Sequence, residues 1–437
     1  MKMRQGFTIL EVLGVLVIIL VLGGVFVYAR KSTSQSPSDV QATASPSPTS
    51  ASVSSGNTFP SPTGTVSPAV AAGQQLSNNE CSGTGTVPLT YPPVNPADVS
   101  IIEPYGLTIG GHVTPVDHEY YWAKNNVKDS SNVLALADGR LVDIEYRDHM
   151  GQGPIPGDYR VTISYTCTFM SYFDLATSLA PDIESQLPAG WEKTGHTGIN
   201  IPVKAGQVIA KMGGQSLDFA VWDMTYNNPK LLVPAAYIGE SWKIHTVPPL
   251  DYFSTAVKAS LLPLYVRQAA PPDGYYAYDI DGKAIGTWFE QGTKGYEGAG
   301  NANPGTAGYW DGHLAIAPDF IDPTATGFSI GDYQGQATQF TITPGSTDPA
   351  TVGVETGLVK YQLLHTQRYI GKDGNQWDGL STPKSALTLL TNGAPEATAL
   401  IQLTAARTMK VELFPNKTPG QVSGFDSAAR VYTRDGN

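Results

Sequence analysis

Val133-Leu134-Ala135-Leu136-Ala137-Asp138-Gly139-Arg140-Leu141-Val142 decides how this chain is read, because two short apolar runs meet there at an Asp-Gly pair. Asp-Gly supplies the backbone freedom of a tight turn, so the stretch predicts two strand segments joined at that point. Further along, Tyr159 to Phe169 alternates apolar and polar residues and predicts one longer strand. The run Ile201-Pro202-Val203-Lys204-Ala205-Gly206-Gln207-Val208-Ile209-Ala210-Lys211-Met212-Gly213-Gly214 then leads into Ser216-Leu217-Asp218-Phe219-Ala220-Val221-Trp222. Short apolar runs punctuated by Gly, Pro and Asp predict a mainly β domain over residues 80–262.

Taken in order, these phrases resemble the core of the lysostaphin or LytM-type metallopeptidases, which cut peptidoglycan cross-links. That family shows a His and an Asp near the start, a phrase of the type V-x-A-x-x-D-G-x-V, a V-K-x-G-Q-x-I segment and a closing His-x-His on a strand. VLALADGRLV and VKAGQVIAKMGG keep the middle phrases. The closing pair falls on Ser216 and Asp218, so both histidines are replaced. Upstream, the family's His-x-x-x-Asp is represented by GGHVTPVDHEYYW, where four residues rather than three separate His112 from Asp117.

A catalytic zinc site needs about three N, O or S ligands, an open position for water and a general base. Ser216 cannot supply the base. The expectation is therefore a head without a cofactor. The alternative is zinc held by His112, His118 and Asp218, with Asp117 orienting one imidazole from behind. Tyr120, Tyr121, Trp122, Phe219 and Trp222 are candidates to line a groove that takes a glycan or an extended peptide by stacking and edge hydrogen bonds. Core packing is the competing reading for alternate aromatics in a β domain. Cys81 and Cys167, the chain's two cysteines, either form one disulfide or remain two buried thiols.

Residues 263–437 open on the Pro-rich RQAAPPDG and continue as short strand-like runs at 309–317, 328–333, 338–343, 357–364 and 399–413. Regular turn signals between them predict an antiparallel sandwich or barrel. Gly286-Thr287-Trp288 is similar to the Gly-x-Trp of small ligand-binding barrels. Asp279 to Lys283 and Trp310 to His313 read as hairpin turns, since neither continues into a calcium loop with its distal Glu.

The N-terminus reads MKMRQG, FTILE, an almost uncharged run from Val12 to Ala29, then Arg30-Lys31. A helix over residues 7–31 would reach roughly 37 Å at about 1.5 Å per residue, enough to span a bilayer core. Glu11 is expensive in such a run and implies a partner. This segment resembles a type IV prepilin signal. The resemblance implies a leader over residues 1–6, cleavage by a prepilin peptidase between Gly6 and Phe7, methylation of Phe7, and pairing of Glu11 with a neighbouring pilin-like subunit's N-terminal amine. Residues 32–79 turn to Ser, Thr, Pro, Ala and Gly and predict a disordered stalk.

A net charge of −11 with 27 Lys+Arg residues argues against a nucleic-acid surface. Together these readings predict a single-pass bacterial membrane protein with most of its chain outside the cytoplasm. It would act by binding or scaffolding at the cell envelope, with membrane, peptidoglycan or glycan as partners. Two alternatives stand beside it: a zinc-dependent peptidoglycan endopeptidase, and a structural subunit of a type IV pilus-like filament.

Overall fold

A computed structural model describes residues 67–147, 157–298, 310–365 and 368–437. The expected prepilin leader, the membrane span with Gly6, Phe7 and Glu11, and most of the stalk lie outside them. Among the described residues no helix is long and apolar enough to cross a membrane. The chain is mainly β, as its alternation predicts.

One sheet carries β1 (Val99–Glu103), β2 (Glu119–Ala123), β10 (Leu217–Asp223), β6 (Phe169–Ala176), β5 (Tyr159–Thr166), β4 (Gly139–Tyr146) and β8 (His196–Val203), in that order. A short β11 (Thr246–Val247) pairs with β10 beyond the end of β2. A smaller sheet of β3 (Ser131–Leu134), β9 (Val208–Met212) and β7 (Ser178–Leu179) packs on one face. Side chains alternate across a strand, so one set of residues meets the small sheet and the other points away. Tyr121, Val161, Phe173, Leu217, Phe219 and Val221 fill the inner core. Tyr120, Tyr172, Asp218 and Trp222 lie on the opposite face, and every residue of β10 is buried. A strand buried on both sides needs cover on both sides.

The segments flanking Asp138-Gly139 are strands β3 and β4, joined there but paired elsewhere: β3 pairs with β9, while β4 pairs with β5 and β8. Asp138 instead accepts from Ala205 N at 2.9 Å and Lys204 Nζ at 2.7 Å, tying the two sheets' turns together. The strand expected over 159–169 is β5, which ends at Thr166 because the chain reverses at Cys167-Thr168 and re-enters the sheet as β6 at Phe169. Thr166 Oγ1 accepts from Thr168 N at 3.2 Å inside that turn.

The Cys81 and Cys167 sulfurs are bonded at 2.13 Å. Beside this disulfide lies helix α1 (Pro68–Leu76), within the stretch expected to be a disordered stalk. Its Ala-rich sequence favours helix, and Gly73 lets it approach closely: a Cβ there would fall 1.6 Å from the Cys167 carbonyl oxygen.

The C-terminal strands form a closed antiparallel barrel, resolving the choice between sandwich and barrel. Its order is β12 (Gly286–Glu290), β13 (His313–Pro318), β14 (Thr326–Tyr333), β15 (Gln336–Ile342), β16 (Val359–Leu364), β19 (Pro395–Ala405), β20 (Thr408–Pro415) and β21 (Arg430–Thr433). Between β16 and β19, β17 (Tyr369–Ile370) and β18 (Thr388–Leu389) form a separate ribbon. Trp288, Phe328, Phe340, Tyr361, Met409 and Tyr432 pack in the barrel's core. The expected strand 399–413 is the β19–β20 hairpin, reversing at Ala406-Arg407. Asp279, read as part of a hairpin turn, is buried and paired to Arg434 at 2.8 Å. The Pro-rich segment after Leu262 is no free linker either, because Tyr265 bridges to Ile102 and Gly274 to Tyr105.

The outer face of the first sheet and the barrel share one apolar cluster. It joins Tyr172, Ala220 and Trp222 to Ala236, Tyr237, Phe289 and Tyr296. Gln339 of β15 both accepts from Gly110 N and donates to Gly110 O, each at 3.0 Å.

Candidate functional site

The outer-face residues of β2, β5, β6 and β10 collect the polar groups. Asp218 sits directly opposite Asp174 in the β10–β6 ladder. Asp174 accepts from Arg160 Nε at 3.0 Å and Arg160 Nη2 at 2.8 Å, and also from Arg147. That carboxylate is therefore doubly neutralised. Burial first, and then the charge on Asp174, hold Asp218 well above the ordinary carboxylate range.

The loop before β2 brings Asp117 and His118 to the same face. His118 Nε2 lies 3.0 Å from the Tyr120 hydroxyl and 3.4 Å from Asp218 Oδ2. Burial pushes the imidazole well below its usual pKa, so it is neutral. His112 stands with its ring 5.9 Å from that of His118, edge to face, but at an exposed rim position. The structure thus brings His112, His118 and Asp218 into one neighbourhood. Among the described residues no group of three or more His, Cys, Asp or Glu side chains is placed to hold a metal ion.

Asp117 does something the sequence did not suggest. Its Oδ1 accepts from Lys243 Nζ at 2.5 Å and its Oδ2 from Thr246 Oγ1 at 3.2 Å. The nearest imidazole nitrogen, Nδ1 of His118, is 3.9 Å away, too far for the orienting hydrogen bond expected of Asp117. Burial opposes both charges, yet Lys243 holds Asp117 below its ordinary value, and Asp117 holds Lys243 well above the lysine range. Both shifts point to a true ion pair. Lys243 also lies 3.2 Å from Glu240 Oε2.

Lys243 arrives on the segment Pro234–His245, a series of tight 3-10 turns broken at Tyr237 and Glu240. Tyr276 pins this strap by donating to Lys243 O at 2.6 Å and Thr246 O at 3.1 Å. Trp242 stacks on Trp222 at 5.9 Å, and Trp222 on Tyr172 at 4.9 Å. The Arg160 guanidinium lies over both Tyr172 and Trp242. From the barrel side, the Tyr296 ring faces Lys243 Nζ at 4.9 Å. Asp117 is left 1 % exposed and His118 9 %.

The candidate groove residues separate. Tyr120 and Trp222 lie on the site's face and are buried, while half-buried Trp122 donates its Nε1 to Glu103 at 2.8 Å. Tyr121 and Phe219 are on the other face, edge to face at 5.9 Å in the inner core, where no ligand reaches them. Adjacent residues of a strand cannot share a face. Arg147, Arg160, Asp174, Glu240, Trp242, Lys243 and Tyr296 belong to the site but escaped the sequence reading. Alternation along 159–176 contains a signal for Arg160 and Asp174; the strap has no period from which to place Lys243.

No protein-family model matches the chain, and no curated protein matches it. Among solved structures, Csd3 of Helicobacter pylori is 20% identical with a TM-score of 0.23, the match covering 39% of this chain and 36% of Csd3. The chain thus spans little more than a third of the Csd3 length. The solution structure of lysostaphin is 11% identical over 81% of this chain and 91% of lysostaphin, with a TM-score of 0.21.

Proposed function

We propose that this chain is an exported, single-pass protein of the bacterial envelope, held by a prepilin-type N-terminal helix, whose LytM-like head binds or scaffolds without cutting. The support for the N-terminal part is the sequence around Gly6, Phe7 and Glu11. For the head, one observation carries the reading: both oxygens of Asp117, the one family acid still present before β2, are engaged by Lys243 and Thr246. A carboxylate so occupied is not free to ligate a metal, and burial disfavours the ionised form of Asp218 that a metal would need. Peptidoglycan or a related glycan is the partner the resemblance favours. Co-sedimentation of the detergent-solubilised full chain with purified peptidoglycan tests the reading, alongside a hydrolysis assay with and without chelator. Binding with no chelator-sensitive cleavage is expected; chelator-sensitive cleavage would sink it.

A second reading, the zinc-dependent endopeptidase, draws on the proximity of His112, His118 and Asp218. It requires the strap to withdraw and Asp218 to ionise. Stoichiometric zinc in the purified chain would favour it.

A further inference from the structure

We infer that the Asp117 site is a cation site whose resident cation is the chain's own Lys243 ammonium. Two carboxylate oxygens from different elements converge on that nitrogen, Asp117 Oδ1 at 2.5 Å and Glu240 Oε2 at 3.2 Å. The face of Tyr296 closes a third side at 4.9 Å. Carboxylates and an aromatic face around one point are the chemistry that selects an ammonium group. The contributors come from the loop before β2, from the strap and from the chain between β12 and β13, so the site exists only when sheet, strap and barrel are packed together. The nitrogen is held in a pocket, since the Lys243 side chain is 9 % exposed and that of Asp117 2 %.

This site makes the strap an internal occupant. A divalent ion entering beside His112 and His118 would meet a positive charge already in place, so metal uptake requires Lys243 to leave. The inference deepens the reading of the head as non-catalytic and rests on it for that consequence. Its geometry does not depend on what the head binds.

The test uses the detergent-solubilised full chain. Lys243→Ala leaves a buried carboxylate without its cation and a hole of propylammonium size, ample for methylammonium. Its melting temperature is expected to fall, and methylammonium chloride is expected to restore part of the loss where equal sodium chloride does not. Wild type and the double variant Asp117→Asn, Lys243→Ala should not respond. Equal responses to the two salts, or the same methylammonium gain in the double variant, would overturn the inference. A measurement on the unaltered chain guards against a variant that fails to fold. Reductive methylation read by peptide mass spectrometry should modify Lys243 at least tenfold more slowly than Lys204, whose side chain is 80 % exposed. Similar rates overturn the assignment, as does zinc binding to a chain in which Lys243 stays protected. Failure to bind peptidoglycan would remove the proposed function and leave these readouts unchanged.

Discussion

The Arg434 guanidinium lies 3.7 Å from the centre of the Trp288 ring, joining the end of the last barrel strand to the first. Its Nη1 donates to Asp279 Oδ1 at 2.8 Å and Thr287 O at 2.7 Å, and its Nη2 to Lys283 O and Ile285 O. One side chain thus closes the barrel over the Gly286-Thr287-Trp288 motif. Gly286 is required here, at φ +111, because a Cβ would fall 2.1 Å from Asp279 Oδ1. Arg434→Ala strands a buried carboxylate, and its expected cost is about 3 to 5 kcal/mol. Urea unfolding followed by tryptophan fluorescence measures it. Adding Asp279→Asn should recover part of the loss, and purely additive effects would argue against the pair.

The disulfide closes a long loop, with Cys81 and Cys167 separated by 86 positions. Cross-linking at that separation restricts the unfolded chain, so Cys167→Ser is expected to cost about 3 to 4 kcal/mol. The turn keeps a main-chain anchor in the variant, since the backbone N of residue 167 donates to Gly83 O at 3.0 Å. Melting with and without reductant should show the same drop for wild type and none for the variant.

Two buried histidines draw stability down as acid is added, against buried carboxylates such as Glu103, Asp273 and Asp319, whose raised values act in the opposite sense. His118 and His313 are buried, and burial holds both neutral, His313 down to about 3. In the unfolded chain they take up protons as pH falls through about 6.5, and in the folded chain they do not. Each histidine's share of the stability is therefore present above that pH and lost below it, by up to about 1.4 kcal/mol per pH unit. Denaturant midpoints of wild type and His313→Gln between pH 7 and 5 test this. The variant should gain stability relative to wild type as the pH falls, and parallel curves would refute the assignment.

Glu11→Ala separates anchoring from assembly. If Glu11 pairs with a neighbouring subunit, the variant enters the membrane normally but is absent from any sheared surface filament. Normal incorporation would leave a plain anchor. Mass spectrometry of the mature N-terminus should find methylated Phe7, and a chain retaining Met1 to Gly6 would contradict prepilin processing.

Local patterning was legible wherever it needs only neighbours along the chain. The run 216–222, placed on a strand by the resemblance, overlaps β10, and the turn signals of the C-terminal half separate strands that do close into a barrel. The run 399–413 misled because a hairpin with a tight turn keeps the alternation of a single strand, while 159–169 only overshot the end of β5. Tyr121 and Phe219 were grouped with Tyr120 and Trp222 although the period of two puts them on opposite faces. Helix α1 was hidden in a composition shared with a disordered tract, and the contact of Gly73 with Cys167 that accommodates it is distant in sequence.

By itself, the sequence determined residue chemistry and strand location. It fixed that residues 216 and 218 are Ser and Asp rather than histidines. Those facts are local, carried by residue type and periodicity. Only the tertiary structure decided that β3 pairs with β9, and that Asp117, expected to orient an imidazole, is bound by Lys243 from a strap 126 positions away. The reason is physical: strand partners and the convergence of residues 117, 240, 243 and 296 on one point depend on how sheet, strap and barrel bury one another's apolar faces, which no short window of sequence contains.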